Sequence, residues 1–149
     1  MTKRNDLPLA ATHEVRDRCL CLHLQRAARA IARRFDEALR PFAITSGQFS
    51  LLMSLNRPQA PRIGDVANLL AMDRTTLTAN LKPLERRGLL KVEPDPQDKR
   101  IRRLEITDLG RKILAAALPI WRETHDEIDG LLPARTDPER LRKSLRALS

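Results

Sequence analysis

The sequence predicts a mainly α fold with a small two-stranded β-wing: a winged helix-turn-helix flanked by long dimerisation helices. Three observations predict it. First, RIGDVANLLAM runs directly into DRTTLTANLKPLERRGLL, the pattern of two helices with only Met72-Asp73 between them as a tight turn. Second, two short apolar runs, Leu89 to Val92 and Ile101 to Ile106, flank EPDPQDKR, which is rich in turn residues. Third, the periodic segments at both ends carry more apolar face than the small central unit can cover, and such helices find each other in a dimer. The expected organisation is a flexible arm over residues 1–11, a helical dimerisation region over 12–40 and 108–149, and the winged lobe over 41–107.

Each element follows from local pattern. From Val15 to Leu39 the apolar positions Leu20, Leu24, Ala27, Ala28, Ile31, Phe35 and Leu39 recur at helical spacing, as in one long amphipathic helix that Pro41 stops. Thr45 to Gln48 fits a T-x-x-Q capping box and opens a second, largely buried helix. NRPQAP is a turn, and the third helix turns Ile63, Val66 and Leu70 inward. In the fourth, Asp73 is the N-cap and Gly88 follows the cations of ERR at the C-terminus. Leu77, Leu81 and Leu84 share one of its faces, with Thr75, Ala79, Lys82 and Arg86 opposite. Pro83 removes the N–H that would bond the Ala79 carbonyl, which a solvent-side kink would accommodate. Thr107 caps a fifth helix from Asp108 to about Asp129, where Pro119 is expected to kink or break it. Thr136-Asp137-Pro138-Glu139 opens a sixth.

Bulk composition narrows the function. A chain of 149 residues makes one compact domain, or one domain with helical extensions. Aromatics at 3% with no Tyr leave an Ala/Leu core and argue against single-strand binding on stacked rings. A net charge of +9 makes nucleic acid the first partner to expect and an anionic membrane surface the second. No stretch approaches the ~18 apolar residues of a membrane span. MTKRNDLPLA lacks the apolar core of a signal peptide, so the chain is expected in the cytoplasm with no membrane partner. Cys19 and Cys21 are the only cysteines, reduced thiols there and too few for a structural zinc site alone. With no nucleophile–base set and no phosphate-binding Gly loop, no enzyme and no cofactor is expected.

Straight-chain residues would hold the fourth helix better than Thr75, Thr76, Thr78 and Asn80 do. Their place in its opening turns makes sense against a polar, anionic partner. The second helix of a helix-turn-helix lies in the major groove with its N-terminal residues at base edges. Thr hydroxyls donate or accept there, Thr methyls touch thymine, and Asn pairs with adenine. Lys82 and Arg86 are placed for phosphates. At the wing tip Arg100 can enter the narrow minor groove, with Asp98 two residues earlier to orient its guanidinium. Standing alone, the same run is a solvated basic turn.

LLAMDRTTLTANLKPLERRGLL and DPQDKRIRRLEITDLG, both within Met53 to Gly110, resemble the MarR family of bacterial transcriptional regulators. The family's wing pattern, D-x-R followed by a strand ending in L-T-x-x-G, is matched by Asp98, Arg100, Ile106-Thr107 and Gly110; the helical flanks match in layout only. The resemblance implies a homodimer joined through the first, fifth and sixth helices. It implies a pseudo-palindromic operator in double-stranded DNA, its successive major grooves about 34 Å apart. It also implies repression relieved by a ligand or oxidant acting near the junction of the two regions. Thr75, Thr76, Thr78, Asn80 and Lys82 carry over as major-groove and phosphate contacts, Arg100 as the minor-groove residue and Asp98 as its support. Arg62 departs from the Ser or Thr that often caps the third helix in the family; it cannot cap in that way, but it can contact phosphate.

Three switches are open. Cys19 and His23 are i, i+4 in the first helix and Cys21 points the other way. One branch of the family senses organic hydroperoxides through a Cys near this position and is similar to RCLCLHLQRAARAI. That branch supports its thiolate with tyrosines, which this chain lacks; Arg16, Arg18 and His23 would have to lower the thiol pKa instead. Otherwise both cysteines are small apolar residues of a helical interface. Zinc-sensing relatives would need Cys19, His23 and His125 brought together by the fold, and no metal is expected from the i, i+4 pair alone. The third route is a small aromatic acid between the first and fifth helices, lined by Trp121, His125, His23 and Arg26, where Trp121 is otherwise plain core.

The leading reading is a sequence-specific DNA-binding regulator. A nonspecific architectural binder would need uniform basic coverage rather than Thr and Asn concentrated on one helix. A helical adaptor that has lost DNA binding would have no use for an Arg-rich wing tip.

Overall fold

Among residues 6–149, which the computed structural model describes, the chain orders as α1 (Leu9–Arg18), α2 (Leu20–Leu39), a 3-10 turn (Arg40–Phe42), α3 (Ser46–Ser54), α4 (Ile63–Leu69), α5 (Arg74–Arg86), β1 (Leu90–Pro94), β2 (Arg102–Ile106), α6 (Asp108–Asp129) and α7 (Pro138–Arg146). The fold is a winged helix-turn-helix with helices at both ends. The expected arm is shorter than residues 1–11: its first five positions lie outside the described residues, and Leu9 to Ala11 already belong to α1. Pro8 at the N-cap makes no side-chain cap bond, and Ala10 and Ala11 in the first turn are the best helix formers.

The single helix expected from Val15 to Leu39 is two. Cys19 takes an extended conformation (φ −71°, ψ 101°) between α1 and α2, and its Sγ caps α2 by accepting from the Leu22 N–H at 3.4 Å. No glycine or proline marks the break, so hydrophobic spacing passes over it. At Pro119, by contrast, α6 continues without a break, with the proline on the exposed side. The connection between α4 and α5 is also longer than Met72-Asp73. It begins at Leu70, and Ala71 takes a left-handed φ of 50° that lets the Met72 N–H reach the Ala67 carbonyl at 2.9 Å.

The caps are where local sequence put them. Thr45 and Gln48 form a reciprocal capping box, Thr107 Oγ1 accepts from Gly110 N–H, and Asp137 accepts from the first turn of α7. One core runs through the molecule, from Phe35 and Leu39 of α2 through Phe49, Leu51 and Leu52 of α3 and Val66 of α4. It continues through Leu77, Leu81 and Leu84 of α5 to Leu104, Ile106, Leu114 and Ala117. α1 and α7 contribute nothing to it: neither buries a residue, and Leu9 and Val15 of α1 and Leu141 and Leu145 of α7 are exposed.

β1 and β2 pair antiparallel from Leu90↔Ile106 to Pro94↔Arg102. A further bridge joins Arg62 to Arg103, and the Leu104 N–H donates to the Pro61 carbonyl at 2.9 Å, so the loop between α3 and α4 lies along the wing as a third edge. Gly110 sets the approach of α6 to the wing root: a Cβ there would come within 2.3 Å of the Leu89 carbonyl oxygen.

Candidate nucleic-acid interface

The outer face of α5 is held by its buried stripe. Leu77, Leu81 and Leu84 are fully buried, and Thr75, Thr76, Thr78, Asn80, Lys82 and Arg86 are all exposed. Asp73 Oδ1 accepts the Thr76 N–H and Oδ2 the Thr76 hydroxyl, each at 2.8 Å. The Thr76 N–H bond, more than any other contact, holds the Asp73 carboxyl below the usual carboxylate range. Thr78 donates its hydroxyl back to the Arg74 carbonyl at 2.8 Å. Thr76 and Thr78 therefore offer a partner their oxygen lone pairs and methyl groups, while their protons are engaged within the helix. Asn80 Nδ2 makes only a weak 3.6 Å contact with Met72 Sδ, so little holds its amide back.

At the wing tip Arg100 is 91% exposed yet oriented, with Nε 3.1 Å and Nη2 3.2 Å from the two oxygens of Asp98. That bidentate contact lowers the Asp98 pKa. Arg62 stands at the head of α4 with no side-chain cap, as its residue type dictates, and is exposed beside Arg103.

Two residues of this region escaped sequence reasoning. Asp95 is almost completely buried. One of its oxygens accepts the N–H groups of Gln97 and Asp98 at 2.8 and 3.1 Å, and the other accepts Arg103 Nε. The Arg103 contact is the main cause of a lowered Asp95 pKa. Arg103 Nη1 also donates to the Ala60 carbonyl at 2.7 Å. D-P-Q in a turn was a signal for an aspartate that bonds its own backbone two residues on, but its cationic partner depends on hairpin register.

The groups weighed for a switch do not share one site. Trp121 stacks between Phe35 (6.1 Å) and Phe49 (5.7 Å), with His125 5.0 Å from it. His125 in turn lies 3.7 Å from Asp129, which Arg142 of α7 also bonds. His23 instead lies 3.3 Å from the Asp17 carbonyl at the end of α1. At about 1.5 Å per residue, His23 and Arg26 are roughly 18 and 14 Å along α2 from Phe35, too far to complete an aromatic-acid cleft around Trp121. Cys19 is half-buried in the break and not on a shared helical face with His23, while Cys21 is exposed and accepts from Gln25 Nε2. Among the described residues no group of three or more His, Cys, Asp or Glu gathers to hold a metal, and no helix is long and apolar enough to cross a membrane.

The MarR family model matches residues 44–101. The transcriptional regulator HosA of Escherichia coli O111:H- is 38% identical over 91 residues, covering 60% of this chain and 66% of its own length. The transcriptional regulator MosR of M. tuberculosis, solved in complex with DNA, superposes with a TM-score of 0.79 at 35% identity, over 87% of this chain and 92% of that one. The chain belongs to the MarR family. A second solved structure, the transcriptional repressor CouR bound to a 23-mer DNA duplex, covers 97% of this MarR-family chain and 99% of its own, with a TM-score of 0.76 and 28% identity. These matched proteins are transcriptional regulators, not enzymes. The MarR match itself runs from the turn before α3 to the wing tip, so α1, α2, α6 and α7 are matched by overall shape more than by motif.

Proposed function

We propose that the protein is a homodimeric, sequence-specific DNA-binding transcriptional regulator of the cytoplasm, acting as a repressor on a pseudo-palindromic operator and released by a small molecule. One observation carries the DNA-binding reading. An α5 whose leucine stripe is wholly buried presents a Thr/Asn/Lys face wholly to solvent, and an exposed Arg100 is already aimed by Asp98. In this reading Thr75, Thr76, Thr78 and Asn80 meet base edges, and Lys82, Arg86 and Arg62 meet phosphates. Arg100 enters the minor groove. The unburied leucines of α1 and α7 support a second copy as the partner of those helices.

A cavity of about 230 Å³ favours the small-molecule route over the oxidant route. It lies between α3 and α6 and is lined by Met53, Asn56, Arg111, Leu114, Ala115 and Leu118. An apolar wall with one guanidinium suits a small aromatic acid, and its position touches both the winged lobe and the long helix that leaves it.

Selection of bound duplexes from a random pool at fixed salt tests the proposal. A two-fold symmetric motif is expected. Enrichment without a motif would leave a nonspecific architectural binder, and no retention at all would leave a helical adaptor.

A further inference from the structure

We infer that Asp95 and Arg103 are positioning residues for Arg100, a buried carboxylate and a half-buried guanidinium forming a brace that fixes the reach of the wing before DNA arrives. The inference rests on the reading of Arg100 as a minor-groove contact. Asp95 is 4% exposed although its turn neighbours Pro94, Pro96 and Gln97 are exposed. A buried carboxylate persists in such a place only when its lone pairs are satisfied. Here they are: Gln97 and Asp98 N–H groups bond one oxygen and Arg103 Nε the other.

Arg103 joins two elements. It lies on β2, reaches Asp95 in the turn with Nε, and with Nη1 holds the Ala60 carbonyl in the α3–α4 loop. From Ala60 an unbroken series of bonds therefore runs through the Arg103 guanidinium, the Asp95 carboxylate, the Asp98 N–H and the Asp98 carboxylate to Arg100. Alongside it run the Arg62–Arg103 bridge and the Leu104–Pro61 backbone bond. A two-stranded hairpin by itself is marginal in water. Tied to the loop that leads into α4, it keeps one angle to the helix-turn-helix, so the ordering of the wing is complete on folding and does not oppose binding. Lysine could not do this, because one ammonium on a flexible stem lacks the planar fork that bonds both acceptors at once.

The test uses a duplex enriched from a random pool by the wild-type protein. Asp95→Asn and Arg103→Lys are each expected to weaken binding about tenfold at a temperature where the far-ultraviolet spectrum shows both variants folded, although Asp95→Asn gives up the stability its bonded carboxylate contributes at neutral pH. In the Arg100→Ala background Asp95→Asn is expected to cost nothing more, because its effect passes through that side chain. Hydroxyl-radical cleavage should show loss of the minor-groove protection that depends on Arg100 in the wild type. Equal losses with Arg or Ala at position 100 would overturn the brace. If Asp95→Asn disturbs the wing itself, Arg103→Lys decides, and unchanged affinity there overturns it as well. An Arg100→Ala protein that binds as tightly as wild type would remove the minor-groove reading, and this inference with it; a loss at Arg100 with none at Asp95 and Arg103 removes the inference alone.

Discussion

Single side chains on this chain divide cleanly between those that hold the interface and those that would use it. Gly110 holds: its missing Cβ is what lets α6 start against the wing root, where a methyl would sit 2.3 Å from the Leu89 oxygen and 2.8 Å from Ile106 Cγ1. Gly110→Ala should cost about 1–3 kcal/mol of unfolding free energy, because a backbone carbonyl is among the atoms that must yield; a denaturant titration measures it. Lys82 belongs to the other class, exposed on α5 with no role in the core. Lys82→Ala should weaken binding to all duplexes alike and reduce the salt slope by about one unit, read from affinities at several salt concentrations. A change in sequence preference would instead make it a base-reading residue. The family-matched Thr107 and Gly110 have a shared physical reason. Thr107 Oγ1 donates to the Gly88 carbonyl at 2.6 Å and accepts from Gly110 N–H at 3.1 Å, tying the end of α5, the end of β2 and the start of α6 into one knot.

At the level of elements, the wing and α5 are both set by aspartates whose bonded carboxylates are held below their ordinary pKa: Asp73, Asp95 and Asp98. Depressed folded values mean that the stability these groups contribute is fully present above the unfolded value, about 3.9, and is lost as pH falls through the lower folded values. Melting temperature should therefore be insensitive to these three groups from neutral pH down to about 5, then fall below about 4. Asp95→Asn should flatten part of that acid limb. Much of this level was legible beforehand: Asp73, Thr45, Thr107 and Asp137 are caps by residue type, and the Leu77-Leu81-Leu84 stripe needs only helical spacing. What was not legible depends on tertiary register or on unmarked backbone. Arg103 meets Asp95 only once β1 and β2 pair in one particular alignment. Ala71 and Ala43 adopt φ of 50° and 53° without being the residue type that advertises it. The break at Cys19 has no helix-breaking residue, whereas the one real proline signal in α6 is absorbed on the solvent side.

For the whole molecule, the two ends of the chain matter most. α1 and α7 bury no residue within one copy, and Arg142 fastens α7 to α6 through Asp129 at 3.1 Å. Sedimentation equilibrium should return twice the 17.0 kDa chain mass, and a Leu145→Asp, Leu148→Asp double variant should shift toward the single chain mass. A wild-type protein of single chain mass at working concentrations would leave those helices without a partner and the two-fold operator without a reader. The candidate effector groups were the least legible part of the sequence, since a lining set drawn from helical faces carries no information on how far along two helices its members stand. One of those groups has a practical use all the same. With a single Trp and no Tyr in the chain, red-edge ultraviolet emission comes from one indole, wedged between Phe35 and Phe49 where α2, α3 and α6 meet. The protein thus carries its own label where α2, α3 and α6 pack, and a plain fluorescence cuvette can follow that packing without any dye.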